Sequence, residues 1–145
     1  VGGGAVDFYT LGGCATQDID VVIADRDKLD AVLRKLGLSK ERGQRHWYSQ
    51  DLDVAIEAPD DTLAGSLERF AVVDVDDLQV IGIEDLIMDR PRGYAHRQST
   101  SDGEWAGRLI ALHEASIDWE YLNYQAEKEG LLEALESVSR TCGSS

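Results

Sequence analysis

The chain has 145 residues, 43% of them apolar, which is enough to bury the core of one compact domain. Fourteen basic residues against twenty-eight acidic ones give a formal net charge of -14, so no basic face is available to coat a phosphate backbone by charge alone. Asp outnumbers Glu and Arg outnumbers Lys, a balance that suits a halophilic protein or an ordinary acidic one, and no run approaches the ~18 apolar residues of a membrane span, so the chain reads as cytoplasmic.

In chain order, Val1 opens directly in the cluster Gly2-Gly3-Gly4 with no initiator Met, and a preceding, truncated segment is expected. Ala5 to Leu11 reads as a short helix after the glycine turn, with Gly12-Gly13 as its C-cap. Asp18 to Ile23 alternates and is β-branched, the pattern of a strand. Asp27 is the expected N-cap of an amphipathic helix over 28–36 that carries Leu29, Val32, Leu33 and Leu36 on one side and stops at Gly37. Arg45 to Ala58 reads as a second alternating stretch, with Leu52, Val54 and Ile56 on one face, Asp51, Asp53, Ala55 and Glu57 on the other, and Pro59-Asp60-Asp61 as its end. Ile19, Val21 and Ile23 are expected to share a core with Val54 and Ile56 beneath the 28–36 helix.

Ala71 to Val75 and Gln79 to Ile81 read as short strands around Asp76-Asp77. Helical spacing then predicts helices over 83–89, from an Asp102 cap through Ala115, over 117–129 and over 131–140, with Gly93 to Gly103 as a linker and a frayed tail from Gly143. Leu109, Ile110, Leu112, Ile117, Tyr121, Leu122, Leu131, Leu132, Leu135 and Val138 mark the face of a helical bundle. The expected class is α+β: a mixed sheet flanked by helices over residues 1–82, followed by a helical subdomain over 83–145. Cys14 and Cys142 stand at opposite ends without zinc-ligand spacing or the pattern of a disulfide framework.

The chemistry concentrates near the N-terminus. Side chains two apart on a strand share a face, which sets Asp18 and Asp20 about 7 Å apart along one side, a pair of hard oxygen ligands suited to Mg²⁺ or Mn²⁺. A glycine turn opening a helix leaves unpaired N–H groups and room for a phosphate to approach, which makes Gly2, Gly3 and Gly4 nucleotide-binding candidates. Asp53 and Glu57 both lie on the polar face of the second strand, so either could stand beside the aspartate pair if the two strands are adjacent. The arginines are read as ion-pair partners, the histidines as lacking a triad arrangement, and Trp47, Tyr48, Trp105, Trp119 and Tyr121 as packing residues.

The run from Val1 to Val6, followed by Ala15 to Ile23, resembles the signature of the nucleotidyltransferase superfamily that includes DNA polymerase β. Its spelling is similar to that of small stand-alone bacterial and archaeal members related to abortive-infection toxins, and Gly2 to Asp7 is similar to the lincosamide and aminoglycoside adenylyltransferases. A looser similarity runs through Trp47 to Pro59 and around Ile117-Asp118-Trp119. The resemblance implies a Mg²⁺-dependent enzyme that moves an NMP from an NTP to a hydroxyl of RNA, protein or a small molecule, with Asp18, Asp20 and Glu57 as metal ligands and Asp53 as the alternative third carboxylate. Small members of this kind imply a protein partner or a homodimer. The competing expectation is a catalytically silent module of a toxin–antitoxin or defence system.

Overall fold

The computed structural model describes residues 1–13, 16–63, 65–69, 71–73, 78–89 and 100–142. The fold is mixed α+β, and the chain divides into two compact units, Val1–Leu63 and Ala64–Ser145. Cys14, the turn expected at Asp76-Asp77, most of the expected linker and the tail from Gly143 lie outside the described residues.

The first unit runs α1 (Gly2–Tyr9), β1 (Asp18–Val22), α2 (Arg26–Lys35), β2 (His46–Ser49) and β3 (Val54–Asp60). Its three strands form a mixed sheet in the order β1-β3-β2, with β1 parallel and β2 antiparallel to the central β3. That β1 and β3 are neighbours is what the matching alternation of the two segments leads one to expect; their parallel direction is a finding of the structure. The strand expected around Leu52 to Glu57 is β3, and the earlier part of the Arg45 to Ala58 stretch adds β2, so the two form a hairpin. Asp53 adopts a left-handed φ of 50° between β2 and β3, and Leu52, assigned from alternation to the buried face, is 73% exposed in the turn. Pro59 lies within β3 rather than ending it. Lacking an N–H, it falls where the register to β1 slips, between the pairs Asp20↔Glu57 and Val22↔Asp60.

Helix α2 begins two residues before the expected start. Asp25 is the cap, its carboxylate accepting from the Lys28 N–H at 2.9 Å, while Asp27 sits in the first turn and complements the helix dipole. Gly37 ends the helix as expected, at φ 87°: its N–H donates to Arg34 O, and the Leu38 N–H reaches back to Leu33 O, each at 3.0 Å. That closure folds Leu38 onto Leu33, and both pack with Trp47, Leu29 and Ile56 as the core beneath the sheet. Ile19 is 40% exposed and stands apart from that core, contrary to expectation, because β1 is an edge strand and the α2 cluster centres on β2 and β3.

The second unit contains a 3₁₀ turn (Leu67–Arg69), an antiparallel pair β4 (Ala71–Val73) and β5 (Leu78–Val80), and the helices α3 (83–89), α4 (Thr100–His113), α5 (Trp119–Glu129) and α6 (Leu132–Cys142). Both α4 and α5 pack against α6. Helix α4 starts at Thr100, so Asp102 lies inside it rather than capping it; Asp118 caps α5, accepting from the Tyr121 N–H at 3.0 Å. Leu109, Ile110, Ile117, Leu122, Leu135 and Val138 are buried as the bundle pattern predicts, but Leu112 and Leu132 face outward.

Helix α3 is buried almost all round, and two of its buried residues are Glu84 and Asp85. Their charges are accommodated by hydrogen bonds. Asp85 accepts from the Ser66 N–H and from the Tyr121 hydroxyl, each at 2.8 Å, and Glu84 accepts from the Asp118 N–H at 2.9 Å. Arg69 binds Asp118 at 2.6 Å, approaches Glu84 at 3.8 Å and lies over the Tyr121 ring at 3.8 Å. Gly65 and Gly82 allow this closeness, since a Cβ on Gly65 would stand 2.8 Å from Asp85 Oδ2 and one on Gly82 2.3 Å from Arg69 O.

Two predictions follow from the caps and this network. Asp25→Ala should lower stability by about 1 kcal/mol in denaturant titrations, whereas Asp27→Ala should cost only a few tenths of that. Equal losses would show that Asp25 does not cap α2. Burial, then the Asp85 hydrogen bond, pushes the Tyr121 phenol from its ordinary 10.0 up to about 12. A raised pKa favours the folded state fully below pH 10.0, and that contribution is lost as the pH climbs from there to about 12. Ultraviolet titration should therefore show a tyrosine ionising near pH 12, and Tyr121→Phe should remove that step.

Candidate functional site

The alternation of the three strands sorts side chains onto two faces. Trp47 and Ile56 lie on the face packed by α2, so their neighbours in sequence lie on the other. That second face carries two cross-strand rows: His46, Glu57 and Asp20, and beside it Tyr48, Ala55 and Asp18. Parallel pairing of Asp20 with Glu57 sets their Cβ atoms about 5 Å apart. Asp18, Asp20 and Glu57 thus share one face, with Asp18 exposed and the other two half-buried.

Asp53 stands elsewhere. It precedes β3, and its carboxylate accepts from Gln17 Nε2 and from the Tyr48 hydroxyl, each at 2.5 Å. Those bonds tie the hairpin turn to the segment before β1 and hold the Tyr48 phenol above its ordinary value, with the Asp53 hydrogen bond as the main cause. His46, read in sequence as a scattered histidine, shares a row with Glu57 and Asp20. Only the β2–β3 register could reveal this, because 26 positions separate it from Asp20.

The glycines do not form a turn ahead of α1; they form its first turn. Helix α1 starts at Gly2 and ends at Tyr9 rather than running from Ala5 to Leu11, and Thr10 follows it, its hydroxyl donating to Val6 O at 2.8 Å. Gly2 has φ 60°, and a Cβ there would sit 2.0 Å from Asp20 Oδ2 and 2.9 Å from its Cγ. Gly3 lies against the Thr16 side chain, 3.3 Å from its hydroxyl to an added Cβ, whereas nothing stands within 4 Å of the corresponding point on Gly4. The Val1 backbone nitrogen donates to Asp20 O at 3.1 Å, and no side chain caps the helix start. The uncapped first turn of α1 is therefore held directly against the acidic strand.

No family model, curated protein or solved structure matches the chain. Among the described residues no three His, Cys, Asp or Glu side chains converge closely enough to enclose a metal, and no helix is long and apolar enough to cross a membrane. The carboxylates on this face, Asp20 and Glu57 on adjacent strands and Asp18 beside them, are oxygen donors of the hard type that divalent cations take.

The close fit of Gly2 to Asp20 yields a paired prediction. Gly2→Ala meets both a left-handed φ and the Asp20 carboxylate and should destabilise the protein by more than about 1 kcal/mol. Gly4→Ala meets open space within a helix and should stabilise it by roughly 0.5–1 kcal/mol. Melting temperatures that move in the same direction would mean that α1 does not start against Asp20.

Proposed function

We propose that the acidic face of the first unit is the active site of a divalent-cation-dependent nucleotidyltransferase, moving an NMP from an NTP to an acceptor hydroxyl of RNA, protein or a small molecule. The observation that carries this reading is the placement of Asp20 opposite Glu57, on the face shared with Asp18, with the glycine start of α1 pressed against Asp20. The resemblance of the Gly2-to-Ile23 stretch to the nucleotidyltransferase signature supports it, and a nucleotidyltransferase-like core is the finer fold assignment that goes with it.

Asp18, Asp20 and Glu57 would hold Mg²⁺ or Mn²⁺, which when bound neutralises triphosphate charge and polarises the transferring phosphorus. The rest is done by the chain. The first turn of α1 has no side-chain cap, so its N–H groups and the helix dipole would attract a phosphate beside the Asp20 carboxylate that fills the space at Gly2. Glu57, central in its row, takes the proton of the acceptor hydroxyl, and His46 beside it offers a second proton acceptor. Asp53, engaged by Gln17 and Tyr48, orders the hairpin.

The test separates the two candidate third carboxylates. With labelled NTPs, Mg²⁺ or Mn²⁺, and cellular RNA and protein as acceptors, Asp20→Asn and Glu57→Gln should each lower transfer by about 100-fold or more, while Asp53→Asn keeps most of it. Thermal shifts induced by Mg²⁺ plus NTP should disappear in the Asp18→Asn, Asp20→Asn double variant, which stays folded because repulsion between like charges is relieved. Ligand-induced shifts equal to those of the wild type would overturn the reading.

A further inference from the structure

The α2 side of the sheet carries a second concave feature, independent of the acidic face. A cavity of about 390 Å³ opens beside Trp47, and its wall includes Arg34, Lys40, Arg42, Asp30 and Glu41. Three of the fourteen cations of a chain with charge -14 gather here within nine residues. Among the described residues none of the three forms an ion pair, although carboxylates outnumber cations two to one along the chain.

The geometry explains how two of them are held without ion-pair partners. Arg34 lies 5.3 Å and Lys40 5.7 Å from the Trp47 ring centroid, where attraction to the ring face fixes a cation but leaves its N–H groups available to a ligand. The ring is fixed in turn by its indole N–H, which donates to Asp30 Oδ1 at 2.9 Å, so one of the two wall carboxylates is already engaged. The other, Glu41, accepts from Gln44 Nε2 at 3.3 Å. The loop is closed at its base by reciprocal backbone bonds between Ser39 and Tyr48, at 2.9 and 2.8 Å. At its tip the Gln44 N–H donates to Glu41 O at 3.1 Å across Gly43, whose φ of 89° only glycine adopts without strain. Arg34, Lys40 and Arg42 are thus carried on a helix end and a pinned loop.

We propose that this cavity binds a small phosphate monoester, recognised through its dianionic phosphate by Arg34, Lys40 and Arg42. Three cations against two carboxylates give little advantage to a monovalent anion and more to a dianion. The volume exceeds what phosphate alone fills and lies in the range of small-molecule sites, which leaves room for the organic body of an ester. The negative field of the whole chain disfavours a polyanionic polymer here.

The test is a titration of the full ¹⁵N-labelled chain at fixed ionic strength with ribose 5-phosphate, inorganic phosphate and acetate, following the Trp47 indole N–H and the backbone signals of residues 34–47. Saturable shifts with ribose 5-phosphate, at a dissociation constant of about 1 mM or tighter, are expected, weakened roughly tenfold by Lys40→Gln and further by Arg42→Gln. Both side chains are exposed, so neither variant threatens folding. Tighter binding of the ester than of inorganic phosphate supports a monoester site; equal binding overturns the ester in favour of free phosphate. Phosphate recognition itself is overturned if neither phosphate probe saturates, if acetate gives the same response, or if the double variant binds as the wild type does. Since the cavity lies on the sheet face opposite Asp20 and Glu57, none of these outcomes depends on transferase activity.

Discussion

The parallel pairing of β1 with β3 is the constraint from which the arrangement of the first unit follows. Because side chains alternate with a period of two, pairing Ile19 with Ile56 also pairs Asp20 with Glu57, so one face is given to packing and the other to carboxylates. A slip of one residue would place Glu57 against the Leu33, Leu38 and Trp47 cluster and expose Ile56. Burial of that apolar cluster therefore fixes the position of the acidic face on the other side. Pro59 introduces its irregularity beyond the Asp20 and Glu57 pair, leaving their register intact.

The same carboxylate group serves three physical ends along this acidic chain. Asp25 and Asp118 satisfy orphan N–H groups at helix starts. Glu84 and Asp85 are taken out of water in the second unit, where backbone N–H groups, the Tyr121 hydroxyl and the nearby Arg69 guanidinium replace their hydration. Such a network is costly to break rather than strongly stabilising in itself, since losing one partner leaves a buried charge unmatched. Asp18, Asp20 and Glu57 instead share one strand face, where, under the proposed function, a divalent cation would relieve their mutual repulsion. The surroundings of each acid, and not its identity, separate cap, lock and candidate ligand.

Where local pattern and tertiary demand agree, the chain could be read directly: the Asp18 strand, the helix stopped by Gly37, the paired short strands around 71–80, the 83–89 helix and much of the bundle face. Where they disagree, the pattern misleads. Alternation is clear only from Asp51 to Glu57 and breaks at Ser49-Gln50-Asp51, and the turn there depends on a left-handed Asp53 held by Gln17 and Tyr48. Asp25 and Asp27 are equally good caps by residue type, and the one that caps is decided by where the chain leaves β1. The buried positions of Glu84 and Asp85 are not marked by the helical pattern of 83–89, and the approach of Arg69, Tyr121 and the glycine at position 65 makes their burial tolerable.

Sequence alone determined the α+β class and the alternating faces that set Asp18 with Asp20, because these depend on local backbone preference and side-chain period; the seating of Gly2 against Asp20 came from the tertiary structure. Tertiary structure decided which acids meet. Glu57 rather than Asp53 faces Asp20 because strand register is fixed by burial of Ile56 and Trp47 against α2, a long-range condition that no local spacing encodes. It also brought His46 into the acidic row and gathered Arg34, Lys40 and Arg42 around one tryptophan. Each of those juxtapositions joins residues whose separation along the chain is spanned only once helix, loop and hairpin have closed on one another.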